Sequence, residues 1–212
     1  MKTGILWDLD GTLLDTLEDL ADGVNHALTC FGYPVRTLEE VRRFVGNGAR
    51  NLICQAVPEG TDPEPVLREF QKFYAANCQI KTRPYDGIPA ALAELGKLYP
   101  MAIVSNKPDG AVKTLCAQYF PGTYARGESA DCPRKPAPDM VYKAMADIGT
   151  ERCVYVGDSE VDVVTAKNAG MPCLSVLWGF RDRETIEEAG GIHFCSAVSG
   201  LKEKIEELSH GK

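Results

Sequence analysis

Two carboxylates one residue apart, Asp8 and Asp10, end an apolar run in Gly4-Ile5-Leu6-Trp7-Asp8-Leu9-Asp10-Gly11-Thr12-Leu13. At the end of a buried strand such a pair costs free energy unless a cation offsets it. Polar groups recur after two later apolar runs, as Ser105-Asn106-Lys107 and as Gly157-Asp158-Ser159-Glu160-Val161-Asp162. Between them, Arg134-Lys135-Pro136-Ala137-Pro138-Asp139 sets a lysine among prolines ahead of a helix. Asp8 and Asp158 can share a hard cation such as Mg²⁺, which takes oxygen ligands. The Ser105 hydroxyl, backbone N–H groups and the Lys135 ammonium suit the charged oxygens of a phosphoryl group. A carboxylate beside the metal can attack phosphorus and form an aspartyl phosphate. A second carboxylate two residues on can protonate the leaving oxygen and later deprotonate the attacking water. Each fragment alone reads as a turn or a cap, and Ser159 is a natural helix N-cap. Their order, each after a strand or before a helix, makes a site of them.

The elements that must position these groups follow from periodicity. Leu13, Leu17, Leu20, Val24, Ala27, Leu28 and Phe31 recur at three- and four-residue steps, and Gly32 can close that helix. Thr37-Leu38-Glu39-Glu40 reads as a capping box. Gly46-Asn47-Gly48 is a turn before a third helix through Leu52, Ile53 and Ala56, and Thr61-Asp62-Pro63 opens a fourth. Residues from about 16 to 80 are therefore expected to be wholly helical. Arg83 to Gly87 reads as a linker, after which helices alternate with short apolar strands at Met101–Ser105, near Tyr124, at Cys153–Gly157 and at Cys173–Val176. The expected helices are Ile88–Leu98, one from near Asp109, Asp139–Ile148 and Ser159–Ala169. With the opening strand, this grammar predicts an α/β fold: a parallel sheet covered on both faces, with an all-helical domain inserted after its first strand. The expected division is 1–15 and 82–212 for the core and 16–81 for the insert. Ligands of such sheets bind at the carboxyl ends of the strands, where the acids and the lysine fall.

Bulk properties narrow the function. The chain of 212 residues has a formal net charge of −7 and no basic run, which argues against nucleic acid or an anionic membrane surface as partner. No apolar stretch approaches the length of a membrane span and no secretory signal pattern opens the chain, so a cytoplasmic location is expected. The 8 cysteines contain no Cys-x-x-Cys, and several lie in apolar periodic segments. They are expected to be reduced and mostly packing, not disulfides or a zinc site. His26, His193 and His210 carry no catalytic signal and are expected to be structural or solvent-facing.

Asp8-Leu9-Asp10-Gly11-Thr12-Leu13, Ser105-Asn106, Lys135 within Arg-Lys-Pro-Ala-Pro-Asp, and Gly157-Asp158-Ser159-Glu160-Val161-Asp162 together resemble the four motifs of the haloacid dehalogenase superfamily, in its phosphoglycolate phosphatase-like group. The resemblance spans nearly the whole chain and implies a Rossmann-like core and a Mg²⁺-dependent phosphatase acting on a small phosphorylated metabolite, with the helical insert as a cap. It implies Asp8 as nucleophile and metal ligand, and Asp10 as general acid/base with its carbonyl on the metal. Asp158 would be the further metal ligand, and Asp162 a carboxylate behind or beside the metal that orients waters. Ser105, Asn106 and Lys135 would hold the phosphoryl group, and Thr12, grouped with them, would position Asp10 or the flap. Trp7 and Ser105 stand where the group usually has Phe and often has Thr, and both keep the aromatic or hydroxyl character. Dehalogenases of the superfamily lack the acid two residues after the nucleophile, so Asp10 implies phosphoryl transfer.

Substrate choice in this group is set by the cap. Arg43-Phe44-Val45-Gly46-Asn47-Gly48-Ala49-Arg50 resembles the cap loop that reaches the site, with Gly46, Asn47 and Gly48 letting backbone N–H groups approach an anion and Arg43 or Arg50 pairing with a carboxylate or second phosphate. A plain helix–helix turn with solvated arginines fits that stretch equally. Trp178-Gly179-Phe180-Arg181 resembles another segment of the group and makes Arg181 a further candidate. The alternatives are a β-phosphoglucomutase-like phosphotransferase or a pyrophosphatase of the same superfamily, and, against the intact acid pair, a non-catalytic binding module.

Overall fold

The computed structural model describes residues 3–130 and 132–210. The chain runs β1 (Thr3–Trp7), β2 (Leu14–Asp15), α1 (Leu17–Cys30), α2 (Leu38–Phe44), α3 (Gly48–Ala56), α4 (Glu64–Asn77), β3 (Arg83–Pro84), α5 (Ile88–Leu95) and β4 (Met101–Pro108). It continues through α6 (Asp109–Tyr119), β5 (Tyr124–Glu128), α7 (Asp139–Asp147), β6 (Arg152–Gly157), α8 (Glu160–Asn168), β7 (Cys173–Val176), α9 (Arg183–Glu188), β8 (His193–Cys195) and α10 (Leu201–Ser209).

Six strands form one sheet in the order β5-β4-β1-β6-β7-β8, every neighbouring pair parallel. The strand sequences are near-continuous apolar runs because both sheet faces are covered. Ile5 and Trp7 of β1, Ile103 of β4, and Val154 and Val156 of β6 face one apolar cluster, which includes Ile88 and Leu92 of α5 and Leu201 and Ile205 of α10. The alternating residues Leu6, Ala102, Val104, Cys153 and Tyr155 face a second cluster with Met140, Val141 and Ala144 of α7 and Ala166 of α8. This period of two fixes the strand register and brings β4, β1 and β6 side by side.

The excursion between β2 and β3 is all helix, α1 to α4. The Thr37 capping box forms, with Glu40 N–H donating to Thr37 Oγ1 at 3.2 Å and Thr37 N–H to Glu40 Oε2 at 2.8 Å. Gly32 closes α1 at φ 69°, a conformation that Gly adopts without steric cost. Its apolar residues, including Val24, Leu28, Ile53 and Phe70, are continuous with the cluster on the Ile5 and Trp7 face of the sheet.

Several features differ from the sequence reading, among them β4, which runs on to Pro108 where the expected strand ends at Ser105. Arg83 and Pro84 are not a free linker but pair antiparallel with Asp15 and Leu14, so the outgoing and returning chains form a two-stranded ribbon. The helix from Ile88 ends at Leu95, not Leu98, because Gly96 follows and the Leu98 and Tyr99 N–H groups turn back to the Leu95 carbonyl. A sixth sheet strand, His193–Cys195, is only 3 residues long, too short to show a periodicity. Among the described residues no helix is long and apolar enough to cross a membrane. All 8 cysteines are free, and Cys78, Cys116, Cys132, Cys153 and Cys195 are buried.

Ile53, fully buried in the helical excursion, is a test of its interior packing. Ile53→Ala is expected to cost about 2–5 kcal/mol, read as a lower urea midpoint followed by circular dichroism.

Candidate active site

The carboxyl ends of β4, β1 and β6 carry the polar groups. Asp8 follows β1 directly, and its N–H donates to the Val156 carbonyl of β6 at 2.8 Å, so the nucleophile candidate is set by the sheet itself. Asp158 follows β6, while Ser105, Asn106 and Lys107 lie within the last turn of the pleat of β4. Lys135 comes from the loop before α7, which α8 anchors through Asn168 Nδ2 donating to the Pro136 carbonyl at 2.9 Å.

Lys135 Nζ donates to Asp8 Oδ1 at 2.7 Å, to Asp162 Oδ1 at 2.8 Å and to Tyr155 OH at 3.0 Å, all buried. Its three donors are thus spent on a fixed tripod. Asp162 Oδ2 accepts from the Ser159 N–H and hydroxyl at 3.1 and 2.6 Å. Asp158 Oδ1 accepts from Thr12 Oγ1 at 3.1 Å, and its Oδ2 from the Phe180 N–H at 2.7 Å. Oxygens of Asp8, Asp158 and Asp162 all lie within 4.8 Å of one another.

Three carboxylates face one ammonium here, a formal excess of negative charge in a buried place. Burial pushes the Asp8 carboxyl well above its ordinary value; Lys135 opposes this, and the Asp162 and Asp158 charges add to it. Asp158 is pushed up to about 7, first by burial and then by the Asp162 charge. Burial pulls Lys135 down, but the Asp162 and Asp8 carboxylates outweigh it and hold the lysine well above its usual value, so it stays charged. An all-oxygen donor set with excess negative charge fits a small divalent cation of the Mg²⁺ class.

Gly11 shows how tightly the turn between β1 and β2 approaches this cluster. Its φ is 83°, and a Cβ there would overlap the Asp158 carboxylate. Gly179, across the site, is packed as closely against Asp158 and the Gly11 carbonyl. Trp178 Nε1 donates to the Thr12 carbonyl at 3.1 Å and so ties that turn to the segment after β7. Thr12 itself therefore touches Asp158.

Asp10 stands apart from the three acids. Its Oδ1 accepts from Thr16 Oγ1 at 2.7 Å and from Lys107 Nζ at 2.8 Å. Burial pulls the Lys107 ammonium down, but Asp10 and Tyr74 together outweigh it and raise the group. The same Nζ lies 4.7 Å from the centroid of the Tyr74 ring on α4, so the lysine is held between an acid of the sheet and an aromatic of the helical excursion.

Asn106 and Arg181 join the two parts of the chain. Asn106 Oδ1 accepts from the Lys135 N–H at 2.8 Å, while its Nδ2 donates to the Lys135 carbonyl at 2.9 Å and to the Gly46 carbonyl at 3.1 Å. Arg181 Nε pairs with Glu160 at 2.9 Å, and its other nitrogens donate to the Arg42 carbonyl at 2.9 Å and the Arg43 carbonyl at 3.3 Å. Those carbonyls end α2, where a cation complements the helix dipole. Gly46, Gly48 and Arg181 line the cavity over the acids, whose remaining wall from the helices is chiefly Leu20, Ala49, Leu52 and Phe70. Arg43 is exposed and meets Arg181 through its carbonyl. Arg50 is exposed and paired with Glu64 at 2.8 Å. Asn47 is the residue before α3, and its side chain makes no cap hydrogen bond. Neither arginine nor Asn47 is among the residues lining the cavity.

Four contributors have no role in the sequence reading: Lys107, Thr16, Tyr74 and Tyr155. Lys107 carried a signal, since residues two apart in a strand share a face and Ser105 marks that face. Thr16, Tyr74 and Tyr155 carried none, because helix starts and buried aromatics are ordinary packing positions.

The raised carboxyls give a stability signature. The folded chain binds more protons than the unfolded chain between about pH 4 and pH 7, so this cluster lowers stability as pH rises through that window. With EDTA present, the urea midpoint is expected to fall from about pH 5 to about pH 8. Mg²⁺ is expected to restore it mainly at the higher pH, and Asp158→Asn to flatten the dependence. Urea titrations at the two pH values, with and without Mg²⁺, check this.

Comparison with known proteins agrees with the geometry. The model of the "Haloacid dehalogenase-like hydrolase" family matches residues 5–176. A phosphoglycolate phosphatase of Rhodobacter capsulatus is 32% identical over 96% of this chain and 98% of its own. Another, from Xanthomonas campestris pv. campestris, is 35% identical over 84% of each. A crystal structure of a Lactobacillus delbrueckii subsp. bulgaricus protein, 34% identical, superposes with a TM-score of 0.90 and covers 97% of this chain and 99% of that one. By a family match over most of its length and by relatives this similar over nearly the whole chain, the chain belongs to the haloacid dehalogenase-like hydrolases and is similar to their phosphoglycolate phosphatases.

Proposed function

We propose that the chain hydrolyses a small phosphate monoester through a phosphoaspartyl enzyme, with phosphoglycolate as the substrate to which its relatives' names point. The observation that carries the reading is the placement of Asp8 on Lys135 and of Asp10 on Lys107, two separately held acids at one strand end. Lys135 holds Asp8 Oδ1, and Oδ2 is the oxygen left for attack on phosphorus. As the Asp8–phosphorus bond forms, the ester P–O bond breaks and Asp10 gives its proton to the departing alkoxide. Water then attacks the phosphoaspartate, Asp10 takes the water's proton, and the bond from Asp8 to phosphorus breaks to release inorganic phosphate. The Ser105 hydroxyl, which accepts from the Lys107 N–H, keeps its own proton to donate to a phosphoryl oxygen, Lys135 supplies positive charge beside the group, and Asn106 holds the Lys135 backbone in place. Asp8, Asp158 and the Asp10 backbone, with Asp162 close by, would hold a divalent cation, which would neutralise charge between the anionic nucleophile and the anionic ester.

Residues 16–81 serve as the cap and residues 1–15 and 82–212 as the core. Among the described residues the cap gives the cavity no charged side chain, only apolar groups, Tyr74 and the Gly46 and Gly48 backbone. A mutase turning over a sugar phosphate needs a wall of hydroxyl-binding groups, so this wall favours a compact substrate. Lys107, at the cavity and beside Asp10, is the cation offered to a second anionic group such as a carboxylate.

A panel of phosphoglycolate, glucose 1-phosphate, pyrophosphate and an aryl phosphate tests the reading. Activity is expected to depend on Mg²⁺, to vanish in Asp8→Asn, and to fall about 10²–10⁴-fold in Asp10→Asn. Full activity of Asp8→Asn, or of the wild type in EDTA, overturns it. Lys107→Met is expected to lower kcat/KM for phosphoglycolate about 10–100-fold more than for the aryl phosphate, the value of a lost charge-assisted hydrogen bond. Equal losses on both substrates leave Lys107 as a group that only positions Asp10.

A further inference from the structure

Outside the lining of the cavity over the strand-end acids, His26 and Cys30 of α1 stand four residues apart, and therefore on one helix face. Glu69 of α4, the neighbouring helix, meets them there. His26 Nε2 is 3.2 Å from Glu69 Oε1 and 3.7 Å from Cys30 Sγ, and one donor atom from each of the three residues lies within 4.8 Å of the other two. The His26 ring is fixed by stacking on Phe73, with centroids 4.0 Å apart and planes 19° apart.

These separations are those of ligands around one ion. With Zn–N and Zn–O bonds near ~2.0–2.1 Å and a Zn–S bond near ~2.3 Å, the edges of a tetrahedron are about 3.3 Å for N–O and about 3.6 Å for N–S. The observed edges match both without moving an element. A nitrogen, a sulfur and an oxygen donor select zinc or a neighbouring transition metal over Mg²⁺. The strand-end acids, with oxygen donors alone, select the opposite way. Cys30 is exposed, and His26 and Glu69 are 37% and 29% exposed, so water can supply the fourth ligand.

We propose that His26, Cys30 and Glu69 bind one transition-metal ion of the Zn²⁺ class and that the ion clamps α1 to α4. Binding releases the Cys30 thiol proton to solvent, uses the Nε2 lone pair of a His26 tautomer protonated at Nδ1, and replaces the His26–Glu69 contact with two bonds to the metal. The clamp acts on helices that reach the cavity, since α1 carries Leu20 and α4 carries Phe70 and Tyr74. The cysteine spacing alone pointed to packing because the third ligand comes from a helix 39 residues further on.

Co²⁺ added to the full chain, stripped of metal and kept reduced, is the probe. One equivalent is expected to give a thiolate-to-cobalt charge-transfer band with the intense d–d bands of four-coordination. Zn²⁺ should abolish the spectrum by displacement, and excess Mg²⁺ should leave it. Cys30→Ser, an exposed substitution, should lose the charge-transfer band, and Glu69→Gln and His26→Ala should weaken Co²⁺ binding at least tenfold. Zn²⁺ should raise the melting temperature of the wild type and not that of Cys30→Ser. A wild-type spectrum without thiolate charge transfer, a band that survives in Cys30→Ser, or an equal Zn²⁺-induced shift in both proteins overturns the proposal.

Discussion

Placing three buried carboxylates against one ammonium is the constraint on which the site depends. Asp8, Asp158 and Asp162 share Lys135 and each other's field, and burial raises two of the three carboxyls. Such a cluster persists only when other forces over-determine its geometry. The sheet supplies them: β1 and β6 are paired along five residue positions, with both faces covered by apolar clusters. Asp8 and Asp158 leave those strands in adjacent positions whatever their mutual repulsion. The neighbours complete the frame, with Phe180 N–H and Thr12 on Asp158, Ser159 on Asp162, and Tyr155 on Lys135.

Coupling between sheet and helices rests on polar contacts as well as packing. Asn106 touches Lys135 with one end of its amide and the Gly46 carbonyl with the other. Arg181 gathers the last carbonyls of α2 while Glu160 holds it on the sheet side. Lys107 joins Asp10 to Tyr74. Each of these residues thus touches both a sheet-side polar group and the helical excursion.

The layout of strands and helices was legible because both-faces-buried strands and amphipathic helices write different periods, as Cys153–Gly157 and Leu17–Phe31 show. The order of acid pair, serine–asparagine, lysine and second acid was legible because each follows a strand or precedes a helix. Lys107 was half legible, through its strand position two residues after Ser105. What Arg43, Arg50 and Arg181 touch was not legible, since an arginine's reach spans several partners and the loop around Gly46 fixes only its backbone. Their surroundings were decided by Glu64 on α4 and by the carbonyls at the end of α2, both distant in sequence. The His26–Cys30–Glu69 meeting was hidden for the same reason.

Asp10 and Thr16 are six positions apart and hydrogen-bonded, and Thr16 is the residue from which α1 starts. The segment between them is therefore a fixed measure of length. One inserted residue would shift Asp10 against Thr16 and also turn α1 by about 100° about its axis, carrying Leu20 out of the cavity wall. The turns at Pro34-Val35 and Glu59-Gly60 bear no such coupling and lie on the exposed surface. Among relatives built on this plan, insertions and deletions belong in those outer turns, and the stretch from Asp10 to Thr16 should keep its length even where its residues change.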